Sequence, residues 1–84
     1  METLQPPNPG IVLRDLLKEK SIDPKDFAIR LGVDEAFLKK LLEGNGHIDV
    51  SLSAYLVGLL EQEHEGEYWL FMQRHYDRWK KTQP

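Results

Sequence analysis

The fold is decided by Asp23-Pro24-Lys25-Asp26-Phe27-Ala28-Ile29-Arg30-Leu31-Gly32-Val33-Asp34-Glu35-Ala36-Phe37-Leu38-Lys39-Lys40-Leu41-Leu42-Glu43-Gly44. Asp23 offers a capping oxygen to free helical N–H groups, and Pro24 suits the first helical position. Asp26 adds negative charge where the helix dipole favours it. Phe27, Ala28 and Leu31 make the buried face, and Gly32 ends the helix. After Val33, Asp34 is placed to cap a second helix running to about Glu43, closed by Gly44-Asn45-Gly46. Phe37, Leu38, Leu41 and Leu42 share its apolar side, leaving Glu35, Ala36, Lys39, Lys40 and Glu43 outside. Two short helices joined through Leu31-Gly32-Val33-Asp34 have the sequence form of a helix-turn-helix. In that unit the second helix enters the major groove of DNA.

Working outward, Pro6, Pro7 and Pro9 predict an extended arm over residues 1–9, ending at Pro9-Gly10. From Ile11 to Lys20, Val12, Leu13, Leu16 and Leu17 form one stripe opposite Arg14, Asp15, Lys18 and Glu19, an amphipathic helix. A helix over residues 50–60, capped from Asp49 or Ser51, carries Leu52, Ala54, Leu56, Val57, Leu59 and Leu60 and belongs at the centre of the core. Glu61-Gln62-Glu63-His64-Glu65-Gly66-Glu67 is an acidic connector. The last helix, about 67–80, holds most of the aromatic residues. No stretch alternates as a strand does. The expectation is an all-α, five-helix, helix-turn-helix domain over residues 10–80. Its helix-turn-helix spans about 23–43, and an aromatic helix closes it.

The chain has 84 residues, no cysteine and a formal charge of −3. That excludes a disulfide scaffold, a cysteine-ligated zinc finger and a thiol catalyst. No apolar stretch approaches the length of about 18 residues that a membrane span requires. The start of the chain has neither a basic nor an apolar signal region, so a cytoplasmic location is expected. His47, His64 and His75 show no zinc-type spacing. Glu61, His64 and Glu65 suit a solvated connector better than a metal site. No phosphate loop or nucleophile elbow is present, so neither a cofactor nor an enzymatic activity is expected.

Further residues carry a resemblance. Asn8-Pro9-Gly10-Ile11-Val12-Leu13-Arg14, Phe27-Ala28-x-x-Leu31-Gly32-Val33, Leu41-Leu42-x-Gly44 and Ile48 resemble the HigA/VapI-type antitoxins of the Xre (lambda-repressor/Cro-like) helix-turn-helix family. Tyr68-Trp69-Leu70-x-x-Gln73-x-x-Tyr76-Asp77 is similar to that family's closing signature. The resemblance spans about Asn8 to Trp79. It implies a homodimeric antitoxin that binds an RNA-cleaving toxin and represses its own operon from operator DNA.

The sequence departs from that family where it would meet DNA. The turn often carries serine followed by arginine; here it carries Asp34-Glu35. Pro24 stands where a glutamine often reaches a phosphate. Carboxylates repel phosphates and, among base edges, pair with cytosine N4. Residues 34–66 hold two basic and seven acidic residues, three of the acids at positions 61, 63 and 65. Candidate DNA-facing residues are Lys25, Glu35, Ala36, Lys39, Lys40, Asn45 and His47, with few cations to neutralise phosphates. On the last helix Tyr68, Trp69, Met72, Tyr76 and Trp79 fall on one stripe suited to the core, with Leu70 and Phe71 off it. Trp69, Leu70, Phe71 and Tyr76 are the candidate dimer or partner interface. A different reading is a protein-interaction module that keeps the fold but has lost DNA binding through Asp34 and Glu35.

Overall fold

The computed structural model describes residues 6–60 and 67–83. They form five helices: α1 (Pro9–Glu19), α2 (Pro24–Leu31), α3 (Glu35–Leu42), α4 (Val50–Leu60) and α5 (Glu67–Lys81). Among the described residues there is no strand, and none of the helices is long and apolar enough to cross a membrane. The fold is all-α, as the periodicities predict. The acidic connector at 61–66, with its Glu61, His64 and Glu65, and the first five residues of the arm lie outside the described residues.

The first helix starts two residues before Ile11. Asn8 is its cap: Oδ1 accepts from Gly10 N–H at 2.9 Å and from Ile11 N–H at 3.4 Å, with Pro9 in the first turn. An asparagine oxygen followed by a ring that presets helical φ is the same device as Asp23-Pro24. Asn8 and Pro9 therefore belong to the domain rather than to the arm, and Pro9 is buried. Asp23 caps α2 through Lys25 N–H at 2.9 Å. Gly32 closes α2 at φ 77°, a left-handed conformation that glycine adopts without a Cβ penalty. Asp34 holds the cap position of α3 but its side chain makes no capping hydrogen bond. Asp49 caps α4, its Oδ1 accepting from Leu52 N–H at 2.8 Å.

The core takes Leu13 and Leu17 from α1, Phe27, Ala28 and Leu31 from α2, and Leu38, Leu41 and Leu42 from α3. Ile48 and the α4 residues Leu52, Leu56 and Leu60 complete one side, and Trp69 and Met72 of α5 the other. Helix α4 is central on one face only. Ala54 is exposed, and Val50 and Tyr55 stand out at 71% and 61% exposure.

Helix α1 crosses α3 at very short range. A Cβ built on Gly10 would lie 1.8 Å from the carbonyl oxygen of Leu41, a backbone atom that no rotamer change can move. Gly32 has open space instead. Gly10→Ala is therefore expected to destabilise by about 3 kcal/mol, through overpacking against backbone. Gly32→Ala should cost only about 1–2 kcal/mol, from left-handed strain. Urea unfolding of both variants checks this order; the reverse order would contradict the close crossing.

Candidate nucleic-acid interface

Burying Leu38, Leu41 and Leu42 fixes which side of α3 meets solvent. At 100° per residue, the point opposite their centre falls on Ala36, with Lys40 and Glu43 beside it and Lys39 on one flank. All four are exposed. Glu35 is also exposed but sits at the border of this face. It lines a groove of about 300 Å³ with Arg14 of α1, Pro24 of α2, and Leu38, Lys39, Leu42 and Glu43. Glu35 therefore does not occupy the centre of the solvent face; the Arg14 guanidinium that lines the same groove is bonded to Asp15 at 3.3 Å. Asp34 and Glu35 both lie at the positive N-terminal end of α3, which offsets part of their charge.

Lys25 is exposed in the first turn of α2. Asn45 and His47 are exposed on the loop after α3. Asn45 is held beside the end of the helix by its N–H, which donates to the Lys40 carbonyl at 2.9 Å. The seven residues are therefore all solvent-facing, with Ala36, Lys39, Lys40 and Asn45 forming a contiguous strip.

The expected dimer or partner surface on α5 divides. Trp69 is fully buried in the protomer's own core and is not available to a partner, which corrects the expectation. The helical wheel could not separate this residue from its stripe neighbours. Leu70 and Tyr76 are half-buried, and Tyr76 packs its ring 5.7 Å from that of Trp79. Phe71 is 63% exposed, its ring 4.5 Å from that of His75.

Three side chains that position this site carried no assigned role. Asn8, besides capping α1, donates from Nδ2 to the Gly44 carbonyl at 2.9 Å, joining the start of α1 to the end of α3. Gln73 is 5% exposed; its Oε1 accepts from Ile48 N–H at 2.9 Å and its Nε2 donates to Asp77 Oδ1 at 2.9 Å. Asp77 Oδ2 lies 3.0 Å from His47 Nε2. The spacing of Gln73 and Asp77, one helical turn apart, was visible in the sequence, but their target 25 to 30 residues earlier was not.

No protein-family model and no curated protein sequence matches the chain. Solved structures do. A protein assigned as an antidote of a plasmid maintenance system, from Nostoc punctiforme, is 28% identical, covering 93% of this chain and 84% of its own, with a TM-score of 0.83. A Pseudomonas aeruginosa protein in complex with its 28-bp operator DNA is 23% identical over 92% of this chain and 84% of its own, at 0.82. The Pseudomonas aeruginosa antitoxin HigA with the higBA promoter is 22% identical over 90% of this chain and 82% of its own, at 0.81. The chain has the fold of these proteins. The five-helix, helix-turn-helix reading of the sequence agrees with that likeness across nearly its whole length.

Partial burial alone would raise the Asp77 carboxyl. Hydrogen bonds from Gln73 and His47, with the positive charges of His47 and Lys81, outweigh it and hold the group below its ordinary value. A lowered carboxylate pKa contributes stability that is complete above the unfolded value of about 3.9 and is lost as pH falls through the folded one. Asp77→Asn should therefore shrink the fall in the urea midpoint between about pH 5 and pH 2.5. An unchanged acid dependence would mean that Asp77 makes no such bonds in solution.

Proposed function

We propose that this protein is a dimeric, DNA-binding transcriptional repressor acting as the antitoxin of a toxin–antitoxin pair, without enzymatic activity of its own. Its partners are operator DNA, a cognate RNA-cleaving toxin and a second copy of the chain, in the cytoplasm. The observation that carries this reading is the α2–α3 pair. Its second helix buries Leu38, Leu41 and Leu42 and turns Ala36, Lys39 and Lys40 outward, with Asn45 fixed beside them. The strip has a small residue at its centre and cations around it, which lets a helix settle into the major groove and meet flanking phosphates. The crystallised relatives bound to operator and promoter DNA favour the same use of the fold.

A monomer offers few phosphate contacts, so affinity depends on pairing two reading heads about 34–36 Å apart. The exposed Phe71 with half-buried Leu70 and Tyr76 is the surface proposed for that pairing. The toxin would be met elsewhere on the dimer.

A gel shift with a duplex from the protein's own promoter tests the reading. Wild type binds, with affinity falling steeply as salt rises, by a log–log slope of about −0.9 for each phosphate neutralised. Lys39→Glu and Lys40→Glu each weaken binding by about tenfold or more, and Glu35→Arg strengthens it by a similar factor. Phe71→Glu leaves helicity intact but weakens binding by disrupting the dimer. Absence of any shift for wild type at micromolar protein and low salt contradicts the proposal. If Glu35→Arg then creates binding, the chain is an interaction module whose acids have silenced the reading helix.

A further inference from the structure

The loop between α3 and α4 is tied at both ends. On the α3 side, Asn45 N–H donates to the Lys40 carbonyl. On the α5 side, hydrogen bonds run in series from core to surface: Ile48 N–H to Gln73 Oε1, Gln73 Nε2 to Asp77 Oδ1, and Asp77 Oδ2 to the ring of His47. Gln73 is buried, whereas the His47 side chain is 62% exposed, so the series ends in an imidazole whose other edge is free to meet a ligand. That imidazole stands on the loop that follows α3, in hollows lined by Phe37 of α3 on one side and by Asp77 of α5 on the other.

The bond to Asp77 decides what the ring can do outward. The Asp77 carboxylate accepts a hydrogen bond from Nε2–H, so the ring points Nδ1 away from α5. In the neutral ring Nδ1 then carries a lone pair, which repels an anion. In the cation it carries a hydrogen, which can be donated to one. Asp77 from α5 and Asp49 from the start of α4 border the ring, and Arg74 of α5 lines the same hollow. On the other side the ring shares a hollow with the Leu31-Gly32-Val33 turn, Phe37 of α3, and Ser51, Leu52 and Tyr55 of α4, where Asp49 is again the charged neighbour. The loop follows the C-terminal end of the reading helix, where contacts fall on the DNA backbone rather than on base edges.

We propose that Asp77 is a positioning residue that aims His47, as the imidazolium, at a DNA phosphate, so that DNA binding takes up a proton at each reading head. This rests on the DNA-binding reading above. The last helix then does more than close the core: it sets one of the few cations at the interface and makes it pH-dependent. A phosphate contact carries no base sequence, so its effect is the same on any duplex.

Fluorescence anisotropy tests this with a labelled promoter duplex and a mixed-sequence duplex of equal length, at constant ionic strength. Wild-type affinity weakens by about tenfold per subunit from about pH 6 to about pH 8, by the same factor on both duplexes. His47→Gln, which leaves Gln73 and the core untouched, and Asp77→Asn both flatten this profile. At the acid end both bind about as weakly as wild type does at the alkaline end. If either variant keeps the wild-type pH profile, the inference is overturned, including the case where Asp77→Asn lowers affinity equally at every pH. A wild type that binds neither duplex at any pH overturns the DNA-binding reading and this inference together; binding with unaltered profiles in both variants overturns the inference alone.

Discussion

Everything the molecule presents to solvent on α3 depends on how closely α1 lies on it. Gly10 rests on the Leu41 carbonyl where no side chain fits, and Asn8, two residues earlier, holds the Gly44 carbonyl beyond the end of α3. These two contacts fix the axial position and rotation of α3 against α1. Once they are set, Leu38, Leu41 and Leu42 have one way to be buried. Ala36, Lys39 and Lys40 consequently have one way to face outward. A bulkier residue at position 10 would lift α3 from the body and tilt the outward strip with it, because close-packed interiors transmit such displacements.

The second constraint comes from the far end of the chain. Gln73 is a buried amide, and burying it is tolerable because both its ends are bonded. Among the described residues no buried side-chain nitrogen or oxygen lacks a partner. Its partners join α5 to the loop after α3, so that loop is clasped by Asn8 at Gly44 and by Gln73 at Ile48. A loop held at two points presents Asn45 and His47 in a defined place rather than as an ensemble. This is what lets a small domain with few cations form a directed surface.

Local signals in the sequence were sufficient for the helices and for the helix-turn-helix. Asp23-Pro24 and Gly32 act within one turn of themselves, and the leucine spacing of α3 reports its own buried side. What could not be read locally were the contacts between distant segments. Asn8-Pro9 looked like the end of an arm because proline marks both extended chain and helix starts; Asn8 is bonded to the Gly44 carbonyl, just past α3 and 36 residues on. Trp69 looked available because a helical wheel orders a stripe without saying how deep it sinks. Asp34 looked like a cap because the residue type and position were right, yet its side chain makes no capping bond. Glu35 lines a groove together with Arg14 of α1, a neighbour that the wheel of α3 does not include.

The seven acids of residues 34–66 set this chain apart from the family it resembles, and the structure distributes them unevenly. Of the acids in the middle of the chain, Glu35 is turned to the border of the exposed α3 face, Asp49 serves as a cap, and those at 61, 63 and 65 lie outside the described residues. Glu43 remains exposed on the face beside Lys40. The most direct test of the account is an amide chemical-shift map of the protein titrated with its promoter duplex. The largest changes should fall on Ala36, Lys39, Lys40, Asn45 and His47, with the outer side of α5 around Phe71 and His75 unmoved. Changes centred on α5, with α3 silent, would contradict it.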